Sequence, residues 1–109
     1  MQSYFVDAES CRRIEPFPGV VMHTACGEAM TMSLVEMAPG AVIPLHDHPH
    51  EQVGRMLSGR AEFVVGGQRR IVEPGEMWRI PGGVAHQVTA LDEPVVAWDV
   101  FHPVREDYR

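Results

Sequence analysis

Ala61-Glu62-Phe63-Val64-Val65-Gly66-Gly67-Gln68-Arg69-Arg70-Ile71-Val72 reads as a β-hairpin. Two strand-like stretches flank a pair of glycines, and both glycines tolerate the positive φ that a tight primed turn requires. Outward from this hairpin the same pattern repeats. Short apolar segments, Val20–His23, Met30–Met37, Val42–Leu45, Val53–Leu57, Met77–Ile80, His86–Ala90 and Val95–Phe101, alternate with turn formers, of which Pro39-Gly40, Pro74-Gly75 and Pro81-Gly82-Gly83 are the clearest. No window of a dozen residues carries a helical period without Gly or Pro inside it, so any helix is expected to be short. The pattern predicts an all-β sandwich or barrel. The stretch through Pro18 patterns weakly and is expected to add at most an edge strand.

The 109 residues fit a single domain, residues 1–109, with 45% hydrophobic content ordinary for a globular protein. Fifteen acidic against nine basic residues give a net charge of −6 and no basic tract to neutralise phosphates. Nucleic acid is therefore not an expected partner. No apolar run approaches the roughly 20 residues of a membrane span, and the first residues lack the basic start and apolar stretch of a signal peptide. A cytoplasmic location is the resulting expectation. Cys11 and Cys26 form no Cys-x-x-Cys pair and are expected to be free thiols without an assigned role.

Chemistry concentrates in Leu45-His46-Asp47-His48-Pro49-His50-Glu51-Gln52. On a strand, residues two apart project to the same face, so His46 and His48 can bring two imidazoles to one ion while Asp47 points elsewhere. Gln52 follows within reach of a tight turn and can add an oxygen donor. His86, after Pro81-Gly82-Gly83, can supply a third imidazole. A lone histidine in a loop is usually solvated or merely hydrogen-bonded, and spacing alone leaves that alternative open. His50 shares the parity of His48, but Pro49 interrupts the strand between them.

These residues fall into two motifs that resemble those of the cupin superfamily. The first spans residues 40–59: Gly40, five residues, His46-Asp47-His48, three residues, Gln52 in place of the usual Glu, six residues, Gly59. The second spans residues 75–90: Gly75, five residues, Pro81-Gly82-Gly83, two residues, His86, three residues, then Ala90 where the family carries Asn. The resemblance implies a cupin (RmlC-like jelly-roll) β-barrel holding one divalent ion, nickel, zinc, manganese or iron, through His46, His48, Gln52 and His86. It does not implicate His50. Replacing Glu by Gln leaves the donor set neutral, which favours Lewis-acid chemistry over a higher oxidation state.

Asp99 lies in the apolar run Ala97-Trp98-Asp99-Val100-Phe101, where alternation turns it to the same face as Ala97 and Phe101. A buried carboxylate needs a partner or a task. Arg105 is one candidate partner, in an ion pair that would tie down the tail; the other reading places Asp99 at the pocket beside the metal. Here the sequence is similar to the small pectin-degradation cupins that linearise unsaturated uronates. The similarity rests on His46 to His50, Gln52, Leu57-Ser58-Gly59 and the tail from Asp99 to Asp107, with Arg55 where relatives carry an aromatic residue. It implies Asp99 and Arg105 as catalytic residues, with Phe101 and Arg105 contacting substrate. The expected activity is ring opening or tautomerisation of an unsaturated uronate or similar carboxylate-bearing sugar, as an isomerase of carbohydrate metabolism. A metal-dependent dioxygenase and a non-enzymatic small-molecule-binding module are the alternatives. Open strand edges predict a homodimer.

Overall fold

Residues 3–109 are described by the computed structural model. Ten strands follow in order: β1 (Arg12–Phe17), β2 (Val20–Cys26), β3 (Thr31–Met37), β4 (Val42–His46), β5 (Glu51–Ser58), β6 (Ala61–Val65), β7 (Gln68–Val72), β8 (Met77–Ile80), β9 (His86–Ala90) and β10 (Val95–His102). The helical content among the described residues is a 3-10 turn at Glu106–Tyr108. Every apolar segment read from the sequence overlaps a strand, and β1 is the extra edge strand. Gly66 and Gly67, at φ 54° and 82°, close the β6–β7 hairpin with Val65 opposite Gln68. Among the described residues no helix is long and apolar enough to cross a membrane.

The strands form two antiparallel sheets, β1-β2-β3-β10-β5-β8 and β4-β9-β6-β7, which enclose a jelly-roll barrel. Period-two alternation sorts the side chains: along β10, Val95, Ala97, Asp99 and Phe101 are buried, and along β3 it is Thr31, Ser33, Val35 and Met37. Register then stacks these inward residues into rows. Met22, Val35, Ala97 and Met56 share one row; Thr24, Ser33, Asp99 and Gly54 share the next. The following row holds Cys26, Thr31, Phe101 and Gln52. One end of the barrel is therefore hydrocarbon, filled by Met56, Val20 and Val95 at 1% exposure or less, and the other end is lined with polar groups. The apolar end provides the burial that stabilises the fold, on the order of 2–5 kcal/mol for a side chain such as Met56 relative to Ala. The polar end is where the chemistry sits.

Candidate metal centre

β4 ends at His46, so His48 is not on the strand that the sequence reading extends to it. It lies in the β4–β5 connection, and other contacts hold its ring inward. Gly83 N–H donates to the His48 carbonyl at 2.8 Å, while His48 Nδ1–H donates to the His50 carbonyl at 3.0 Å. Gly82 lets the Pro81-Gly82-Gly83 turn lie flat on this loop, because a Cβ there would strike the Pro49 carbonyl. His46, the last residue of β4, faces His86, the first of β9, as a cross-strand pair. Gln52 enters from β5 and is buried.

The three imidazoles converge. Ring centroids are 4.3 Å apart for His46–His86, 5.0 Å for His48–His86 and 5.6 Å for His46–His48. One nitrogen from each ring lies within 4.8 Å of the others. Each Nδ1 meets a backbone carbonyl, at Pro44, His50 and Val84 respectively, with separations of 2.8, 3.0 and 2.8 Å. A carbonyl only accepts, so Nδ1 carries the proton in all three rings and Nε2 presents a lone pair. Burial, and then the positive charge of Arg105, holds the His48 pKa below its ordinary value; burial does the same for His86. Neutral imidazoles are the form that binds metal.

Two observations fit these residues to a cation. His86 Nε2 is buried without a hydrogen-bond partner, and such an orphan is unfavourable unless something accepts its lone pair. His48 Nε2 and Gln52 Oε1 face each other at 3.1 Å, two acceptors with no proton between them. A cation shared by these atoms resolves both conflicts. His46, His48 and His86 could therefore hold a metal ion, with the Gln52 oxygen beside them.

Asp99 projects into the same pocket as His46, His86, Gln52, Phe101 and Arg105. Its carboxylate accepts Trp78 Nε1–H at 2.8 Å. Burial pushes its pKa up to about 6, against the lowering effect of hydrogen bonds from Gln52 and Trp78. The ion pair with Arg105 considered from the sequence does not form. Arg105 instead gives Nε and Nη2 to the Asp107 carboxylate at 3.1 and 2.7 Å, with its guanidinium 4.0 Å from the Tyr108 ring centroid and 5.0 Å from that of Phe101. The tail is tied down through its backbone: Arg105 N–H donates to Thr31 Oγ1 at 2.9 Å, and Thr24 Oγ1–H donates to the Tyr108 carbonyl at 2.7 Å.

Other residues singled out in the sequence supply none of the converging nitrogens. Arg55 projects from the outer face of β5 and His23 pairs with Glu36 at 2.8 Å on the same outer surface. Cys11 and Cys26 are free thiols, the latter bonded to Thr31 Oγ1 at 3.2 Å. His50 lies next to His48 but is not part of the triad. Trp78 joins the site without having been anticipated from the sequence. An indole N–H with an inward parity on β8 needs an acceptor, and an acid within an apolar strand needs a donor; matching those two needs is the signal that finds it.

The family model described as the cupin domain matches residues 33–101. This chain belongs to the cupin family. Among its relatives, the pectin degradation protein KdgF of Dickeya dadantii (strain 3937) is 30% identical over 110 residues, covering 99% of each chain. The solved structure of KdgF from Halomonas sp. superposes with a TM-score of 0.85 at 28% identity, covering 98% of both chains. An RmlC-like cupin from Shewanella frigidimarina shares the fold, with a TM-score of 0.89 at 21% identity over 99% of this chain and 97% of its own. The chain is thus a homologue of KdgF along its whole length, a cupin barrel with a convergent histidine triad at its polar end.

Proposed function

We propose that this cupin is a metal-dependent enzyme that opens or tautomerises an unsaturated uronate or a similar sugar acid. The observation that carries the reading is the placement of Asp99 and Arg105 in the pocket of the histidine triad, in a chain homologous to a pectin degradation protein from end to end. In this reading His46, His48, Gln52 and His86 are the ligands of one divalent ion. That ion supplies Lewis acidity, strengthened by a donor set with no negative charge.

The chain's own residues account for the remaining requirements. Opening a cyclic hemiacetal removes a hydroxyl proton and breaks a ring C–O bond; in an unsaturated ring the oxygen released is an enol, which returns to the keto form by taking a proton on carbon. Atoms and electrons are conserved, so no oxidant or second substrate is needed, only a group that accepts and returns a proton. Asp99, with a carboxyl held near pH 6 by burial, suits that task. Arg105, stacked on Tyr108 and Phe101, gives Nε and Nη2 to Asp107, which leaves Nη1 to bind a substrate carboxylate. Phe101 forms the wall between them and touches the His48 ring edge-on.

The test is turnover of an unsaturated uronate by metal-loaded protein, with and without O2. Equal conversion in both atmospheres, reduced about a hundredfold in Asp99→Asn at saturating metal, supports the reading. Dependence on O2 would replace it with a dioxygenase.

A further inference from the structure

Gln52 is a neutral residue at the position of a family carboxylate, and an amide can present either end to an ion. Three fixed groups decide which. Trp78 Nε1–H can only donate, and it donates to Asp99 Oδ1 at 2.8 Å. Gln52 and Asp99 are diagonal neighbours on the inward face of β5 and β10 and line the same pocket, which sets the amide N–H of Gln52 beside the carboxylate. Gln52 Oε1 then faces His48 Nε2 at 3.1 Å, and His48 cannot answer with a proton because its own proton is committed to the His50 carbonyl. The polarity runs one way from the indole to the triad.

Gly54 makes room for this arrangement. It lies opposite Asp99 on β10 and opposite Trp78 on β8. A Cβ at Gly54 would overlap both Asp99 Oδ1 and Trp78 Nε1. Trp78 is itself fixed by Phe63, with ring centroids 4.5 Å apart. The indole, the carboxylate and the glycine form one fitted unit behind the Gln52 side chain.

We propose that Trp78 and Asp99 are positioning residues for the metal centre, which turn the Gln52 oxygen toward the three histidines. This rests on the metal reading given above. It assigns Asp99 a second task and gives Trp78 and Gly54 a task for the first time. Groups that orient a ligand commonly contribute tenfold to a hundredfold to metal affinity.

Binding of Co(II) to the metal-stripped protein, measured by chelator competition and by the visible absorption of the bound ion, tests the proposal without substrate. Trp78→Phe keeps the stack on Phe63 and removes only the donor; it should weaken Co(II) binding about tenfold. Asp99→Asn should weaken it by about tenfold to a hundredfold with an altered spectrum. Circular dichroism restricts the comparison to folded protein. Gln52→Glu, whose two equivalent oxygens need no orienting, should then restore affinity in the Asp99→Asn background and should help less in the wild-type background. If wild type binds no Co(II), the metal reading itself fails. If wild type binds and both single variants bind within about twofold of it, or if Gln52→Glu gives the same change in both backgrounds, the positioning proposal is wrong and the metal reading stands.

Discussion

Arg105 gives the Nε and Nη2 edge of its guanidinium to Asp107 and forms no ion pair with Asp99. The two residues that the tail brings to the pocket are therefore held independently, Asp99 by Trp78 and Arg105 by Asp107 and two aromatic rings. Arg105→Lys keeps the charge but loses the planar fork and the stack. It should raise KM for a carboxylate substrate with a smaller effect on kcat. Because the Arg105 side chain is only 11% exposed and stacks on two rings, the same variant should also lose stability, on the order of 1–2 kcal/mol. Steady-state kinetics and a denaturant titration check both halves.

Asp99 also makes metal-free stability depend on pH. Its folded pKa of about 6 lies above the unfolded value of 3.8, so its stabilising contribution is complete below pH 3.8 and is lost as pH rises through 6. The neutral-pH penalty is on the order of 3 kcal/mol at most, since a tenfold change in acidity corresponds to about 1.4 kcal/mol. Asp99→Asn should remove that dependence, gaining stability relative to wild type as pH rises from 4 to 7. His48 and His86, whose pKa values are lowered, add the opposite slope to both proteins and cancel in the difference. Urea titrations of the stripped proteins at several pH values measure it.

The barrel and most of its polar end were legible in the sequence. The Gly66-Gly67 turn, the spacing of Gly and Pro and the parity of Asp99 with Ala97 and Phe101 are local signals, and the structure keeps each of them. What local patterning could not give was the partner of each polar group. Arg105 was one candidate partner for Asp99, because a buried carboxylate usually has a basic counterpart, but the β8–β5–β10 register brings Trp78 to Asp99 across 21 positions. Likewise His48 reaches the site through loop hydrogen bonds to Gly83 and His50 rather than by strand alternation.

Gly54→Ala is predicted to be more harmful than the loss of a mid-strand glycine usually is. The added methyl collides with the Trp78–Asp99 hydrogen bond, and overpacking of this kind costs about 1–3 kcal/mol. Thermal melts should show the loss, and Co(II) affinity should fall with it.

A homodimer is expected. The six-stranded sheet ends in the free edges of β1 and β8, and its outer face exposes Met77 at 72%, Val53 at 42% and Trp98 at 36%. Pairing two copies covers unpaired backbone and apolar surface together. Sedimentation equilibrium at micromolar concentration should give twice the chain mass, and a chain starting at Pro18 should associate more weakly. A monomer at that concentration would contradict the expectation.

The central claim is that one divalent ion is held by His46, His48, Gln52 and His86, and elemental analysis of purified wild type beside His46→Ala, His86→Ala and His50→Ala tests it most directly. Removing one imidazole leaves too few donors to retain the ion. Wild type and His50→Ala should each carry about one equivalent per chain, and the folded His46→Ala and His86→Ala proteins should lose it. Retention of wild-type metal content and affinity by both of those variants would show that the ion, if present, lies elsewhere.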